Sequence, residues 1–76
     1  MPRITPLHYT ILIKIFEAEG FVFARRKGDH FSYVKEGILR PVVIPTWPEV
    51  PVFIIKNNLR TANISRERFF ELLEQV

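Results

Sequence analysis

The chain has 76 residues, of which 47% are hydrophobic and 25% charged; that describes one globular domain over residues 1–76 with a thin core, and excludes a disordered, fibrous or multidomain protein. It has no cysteine, which removes disulfides, thiolate metal sites and cysteine nucleophiles and fits a reducing, cytoplasmic setting. Eleven Lys and Arg against eight Asp and Glu give a formal charge of +3, with three cations consecutive at Arg25, Arg26 and Lys27.

In chain order, "TPLHYTILIKIFEAEG" predicts a helix, with Thr5 as N-cap, Pro6 at the first helical position and Gly20 as its stop. His8, Leu12, Ile15 and Phe16 share one face, so His8 reads as a partly buried packing residue without a chemical role. The apolar run here is shorter than a membrane span, is broken by Lys14 and lacks a cleavage site, so it reads as neither anchor nor targeting signal. "FVFARRK" and "HFSYVKE" predict two strands joined at Gly28 and Asp29, because glycine supplies the positive φ of a tight hairpin. "GILRPVVIP" predicts a third strand, placed at a sheet edge because Pro41 and Pro45 each lack a ladder donor.

"TWPEVP" reads as a loop, with Trp47 either an interface anchor or a cap on the small core. Pro51 suits the first turn of a second helix in which Val52, Ile55, Leu59 and Ala62 recur at helical spacing, closed by Asn63 in the left-handed conformation. "SRERFFELLEQV" predicts a third helix, with Ser65 as N-cap, Glu67 in the first turn, and Phe69, Leu72, Leu73 and Val76 on the face packed against the sheet. The fold class is α+β, order α-β-β-β-α-α, a small three-stranded antiparallel sheet with helices on one face.

The chemistry concentrates in "RRKGDHFSY". His30 is the one histidine placed among cations, and imidazole both takes and gives a proton near neutral pH. A phosphodiester held by Arg25, Arg26 and Lys27 lies within reach of a histidine across a tight turn. The ordinary readings stand beside this one: a hairpin histidine is more often structural, a cation run more often a solvated face, and Asp29 more often a turn residue bonding its own backbone than an orienter of His30. Gly-rich phosphate loops and paired-histidine metal spacings do not occur, so no metal or cofactor is expected.

Beyond these readings, the chain resembles the HicA family of bacterial toxins, the small YcfA-like messenger-RNA interferases, through "IFEAEGF", "RRKGDHF", "RPVVIP", "LRTANIS" and "FFELL" in matching order and spacing. Gly28, Asp29, His30 and Phe31 stand at the positions of that family's glycine, small residue, catalytic histidine and frequent second histidine. The chain departs from the pattern at Asp29, where serine or threonine is common, at Phe31, where a second histidine is common, and at Asn63, where glycine is usual. The resemblance implies a double-stranded-RNA-binding-like fold, metal-independent endoribonuclease cleavage of mRNA, His30 as general acid or base, and a HicB-family antitoxin partner. It also implies phosphate positioning by Arg25, Arg26 and Lys27. Strand alternation separates Arg26 from the other two, so the three cannot share one phosphate, and Arg26 and Lys27 are favoured. The alternatives are a non-catalytic RNA-binding module and a degenerate toxin serving as a protein-interaction scaffold.

Overall fold

Apolar residues spaced for two helical faces and one sheet face give this chain its layers, which the computed structural model describes over residues 2–76. The elements are α1 (Tyr9–Ala18), β1 (Val22–Lys27), β2 (His30–Val34), β3 (Val42–Pro45), α2 (Val52–Ala62) and α3 (Arg66–Gln75). This is the expected α-β-β-β-α-α order. The strands form one antiparallel sheet in the order β1-β2-β3, which puts the proline-flanked β3 at an edge. Among the described residues, no helix is long and apolar enough to cross a membrane.

Two helix ends steer the chain. After α1, Gly20 takes φ +102 while its N–H bonds Glu17 O and the Phe21 N–H bonds Phe16 O, each at 3.0 Å. These bonds are a Schellman closure, completed by the Phe16 and Phe21 rings packed edge to face at 5.4 Å. The end of α2 repeats it with Asn63 at φ 57, as its sequence position predicts, and with Ile64 N–H on Leu59 O at 2.9 Å. Ser65 then caps α3 by accepting from the Arg68 N–H at 3.0 Å.

The start of α1 differs from expectation. Leu7 and Val50 exchange backbone hydrogen bonds at 3.3 and 2.7 Å, and that bridge requires extended backbone where Thr5 and Pro6 were to open the helix. The helix therefore begins at Tyr9. His8 is its N-cap, exposed rather than packed, with Nδ1 accepting from the Thr10 N–H at 3.3 Å. Pro51 likewise stands one residue earlier than expected, as the N-cap of α2. The third strand is shorter than its sequence signal: Gly37 at φ +91 and a turn bond from Ile38 N–H to Lys35 O occupy the chain before Val42. That turn also ends β2 at Val34.

The core centres on β3. Val42 and Ile44 are fully buried, joined by Tyr33 from β2, by Leu12, Ile15 and Phe16 from α1, and by Ile55, Leu59 and Ala62 from α2. Asn58 is buried on the same helix, its Nδ2 without a partner. α1 and α2 lie on β3, while α3 packs mainly on α1 rather than on the sheet. The reason is that β1 offers Phe23 and Arg26 on its inner side instead of the apolar row another helix needs. Phe69 and Leu72 still join the core, whereas Val76 is exposed. Arg68 ties α3 to the end of α1 through Glu19 at 2.9 Å.

Phe69→Ala, at a ring 1% exposed, is expected to lower unfolding stability by about 3–5 kcal/mol, and Phe53→Ala, at a ring 65% exposed, by less than about 0.5 kcal/mol. Urea denaturation of both variants checks the contrast; equal losses would remove Phe69 from the core.

Candidate functional site

The strands β1 and β2 pair Arg25 with Ser32, Arg26 with Phe31 and Lys27 with His30, and close at the two-residue turn Gly28-Asp29. Gly28 has φ +59 and Asp29 does not share the positive φ, the pattern of a type II′ turn. A Cβ on Gly28 would meet nothing within 4 Å, so backbone conformation alone demands glycine there.

Strand alternation sorts the side chains, and one irregularity decides the result. The register skips between Phe23 and Arg25, so Ala24 is an extra residue in β1, a β-bulge. Counted without it, Arg25 and Lys27 would share the inner face with Phe23. With it they move to the open face of the sheet, where His30 and Ser32 stand. Arg25, Lys27, His30, Ser32 and Val43 line one shallow depression of ≈ 390 Å³ there.

Arg26 goes to the opposite face. Its guanidinium lies 5.9 Å from the centre of the Phe31 ring, and its Nε–H donates to Gly28 O at 3.0 Å. The pair favoured from sequence, Arg26 and Lys27, is therefore split by the sheet, and the cations on the histidine's face are Arg25 and Lys27.

The His30 side chain is 45% exposed, and its Nδ1 lies 2.8 Å from Asp29 Oδ1. The other carboxylate oxygen of Asp29 accepts from the Trp47 indole N–H at 3.2 Å. The Asp29 main-chain carbonyl accepts twice from Thr46, from its N–H at 2.7 Å and its hydroxyl at 3.0 Å. Trp47 stands edge-on to the imidazole with ring centres 6.4 Å apart, and its own carbonyl accepts from the Tyr9 N–H at 3.2 Å. It is thus neither a buried core cap nor a free surface ring. The indole bond holds the Asp29 carboxyl below its ordinary value of 3.8, helped by the charge and hydrogen bond of His30 and opposed by desolvation.

Sequence reasoning placed His30, Arg25, Lys27, Gly28 and Asp29 at this hairpin and missed Ser32, Thr46 and Trp47 as its neighbours. Pairing across the predicted hairpin would have found Ser32. No local signal marks the other two, which arrive from 17 and 18 residues away. Among the described residues, no group of three or more His, Cys, Asp or Glu side chains is arranged to hold a metal.

Trp47 is the one tryptophan in the chain, so its fluorescence reports the Asp29 contact directly. The folded carboxyl titrates below 3.8; the bond is complete above that value and is lost as pH falls through the lower folded one. An emission change with a midpoint below 3.8 is expected in the wild type and absent in Asp29→Asn. Persistence of the change in the variant would assign it to another group.

A family model for the HicA toxin of bacterial toxin–antitoxin systems matches residues 10–64. That span is well over half of the chain and includes the whole sheet, the Gly28-Asp29 turn, His30 and Trp47. A search of curated proteins returned no match. The chain belongs to the HicA family, the toxins of bacterial toxin–antitoxin systems, which implies an antitoxin as its partner.

Proposed function

We propose that this toxin is a metal-independent endoribonuclease that cleaves mRNA in the cytoplasm, with His30 as its general acid–base and a HicB-family antitoxin as its partner. The observation that supports this best is the open face of the hairpin, where Arg25, Lys27, Ser32 and His30 line one depression. Cations flanking a half-exposed imidazole are the minimum that phosphodiester transfer without a metal requires.

In this mechanism a backbone phosphate lies between Arg25 and Lys27, with the Ser32 hydroxyl as a further donor. His30 takes the proton from the adjacent 2′-hydroxyl, the 2′-oxygen attacks phosphorus, and the bond to the 5′-oxygen breaks as that oxygen takes a proton from solvent water, to which the imidazolium then returns its own. The products are a cyclic phosphate end and a free 5′-hydroxyl end. One positioned acid–base group contributes roughly 10²- to 10⁴-fold, and the two cations stabilise charge that builds on the phosphoryl oxygens. Arg26 has a different task, bracing the turn through Gly28 from the other face. The antitoxin restrains the toxin by covering the basic depression.

His30→Ala is expected to abolish both growth arrest on induction and RNA cleavage, while retaining the fold and RNA binding. Full cleavage by a folded, equally expressed variant would overturn the acid–base role. The double change Arg25→Ala with Lys27→Ala is expected to flatten the dependence of log affinity on log salt by about 1.4, since each lost phosphate contact on a single strand contributes about 0.7. Arg26→Ala is expected to leave the slope unchanged, and an equal effect from it would move the phosphate site to the opposite face.

A further inference from the structure

A neutral imidazole carries one N–H and one lone pair, and which nitrogen holds the proton is set by what the ring touches. For His30 the contact at Nδ1 is Asp29 Oδ1 at 2.8 Å. An ionised carboxylate accepts and cannot donate, so Nδ1 keeps its proton and Nε2 keeps the lone pair. The groups opposite His30 in the ladder, Lys27 and Pro45, carry no acceptor side chain that would compete.

The carboxylate is itself fixed. Trp47 Nε1–H is a donor only and occupies Oδ2 at 3.2 Å, which leaves Oδ1 for the histidine. The turn does not need this side chain to hold its place, because Thr46 anchors Asp29 through the main-chain carbonyl. Any residue at that position would offer the same carbonyl. The backbone tie and the side-chain tie are therefore separable by mutation.

We propose that Asp29 is a positioning residue for His30: its carboxylate, anchored by the Trp47 indole, fixes the imidazole in the Nδ1–H tautomer and leaves Nε2 to take the substrate proton. This rests on the acid–base role of His30 argued above and adds a residue that acts through it. Carboxylate behind histidine is a general solution to the same requirement, since it sets the tautomer, restricts ring rotation and stabilises the imidazolium formed when the proton arrives.

Asp29→Asn makes a discriminating variant. The Trp47 donor claims the amide oxygen, which turns the NH₂ toward His30, so Nδ1 must become the acceptor and the tautomer reverses. The chain supplies its own reference, because His8 Nδ1 faces the Thr10 N–H at 3.3 Å, which can only donate, and the Thr10 hydroxyl at 2.8 Å, which is able to donate as well, an arrangement that favours the proton on Nε2.

Long-range ¹H–¹⁵N spectra of the full-length protein, recorded where both rings are neutral, are expected to show opposite tautomers for His8 and His30 in the wild type and matching ones in Asp29→Asn. Cleavage of a single-stranded RNA by Asp29→Asn is expected to fall about ten- to a hundred-fold in kcat with KM little changed, the amide spectrum confirming that the fold persists. Trp47→Phe, which frees the carboxylate but keeps a ring, is expected to lower kcat in the same direction by less. A wild-type His30 with its proton on Nε2, or Asp29→Asn with wild-type kcat while His30→Ala is inactive, would overturn the positioning role alone. Full cleavage by His30→Ala would overturn the acid–base reading and this role with it.

Discussion

The apolar surface of so short a chain is enough to bury one strand, and that limit decides where everything else goes. β3 takes the burial, with Val42 and Ile44 sealed beneath α1 and α2. β2 is covered in part, with Tyr33 in the core and Phe31 at its margin. β1 is exposed along its whole length. What holds β1 is the ladder to β2 and a small aromatic cluster in which Phe23 packs edge to face on Phe31 and Tyr33 at 5.6 and 5.8 Å. A strand freed from the core is free to carry charge, and the three consecutive cations sit there. The helices cover only the other side of the sheet, so the face that carries Arg25, Lys27 and His30 is open even on β3, where Val43 is exposed.

A hairpin that overhangs its core needs a second attachment at its tip, and residues 46–50 supply it. Thr46 and Trp47 bind the Asp29 turn, Trp47 also accepts from Tyr9, and Val50 bridges to Leu7. One short loop therefore joins the turn, the start of α1 and the N-terminal segment. Each bond is modest by itself, about 1 kcal/mol net, but together they oppose the fraying that an exposed two-stranded ribbon otherwise undergoes. The same loop reaches the imidazole's neighbour, since Trp47 holds the Asp29 carboxylate that lies 2.8 Å from His30 Nδ1. The side chain at position 29 links the turn to the imidazole, and as an aspartate it is an acceptor whose carboxyl the indole bond holds below its ordinary value.

What the sequence made legible was local. Ser65 as a cap, Gly20 and Asn63 as helix stops, Gly28 at the turn and the 3.6-residue stripe of α2 all act within a few residues of themselves and appear as expected, while the stripe of α3 buries Phe69 and Leu72 mainly against α1 instead of the sheet and leaves Val76 exposed. The errors share a different origin. Thr5-Pro6 carries a good start signal that lost to the Leu7–Val50 bridge, formed with a residue 43 positions along the chain by numbering. His8 read as an apolar-face residue because the helix was begun three residues too early. "GILRPVVIP" has strand composition throughout, but the backbone demands of Gly37 and Pro41 left strand geometry to its last four residues. In the site, the histidine and cations were visible as residue types, whereas the face each one occupies was set by a bulge, and the Asp29–Trp47 bond by a loop that composition does not place.

The bulge at Ala24 makes the chemistry of the open face a matter of parity. In a regular strand, identity at each position decides what a surface presents; here the number of residues between Phe23 and the turn decides it first. Exchanging one cation for another between 25 and 27 leaves the pattern standing, but a change of length by one residue interchanges the two faces of the ribbon beyond it, placing Arg26 where Arg25 and Lys27 had been. A substitution in β1 therefore alters one side chain on one face, whereas the insertion or deletion of a single residue before the turn exchanges what both faces present.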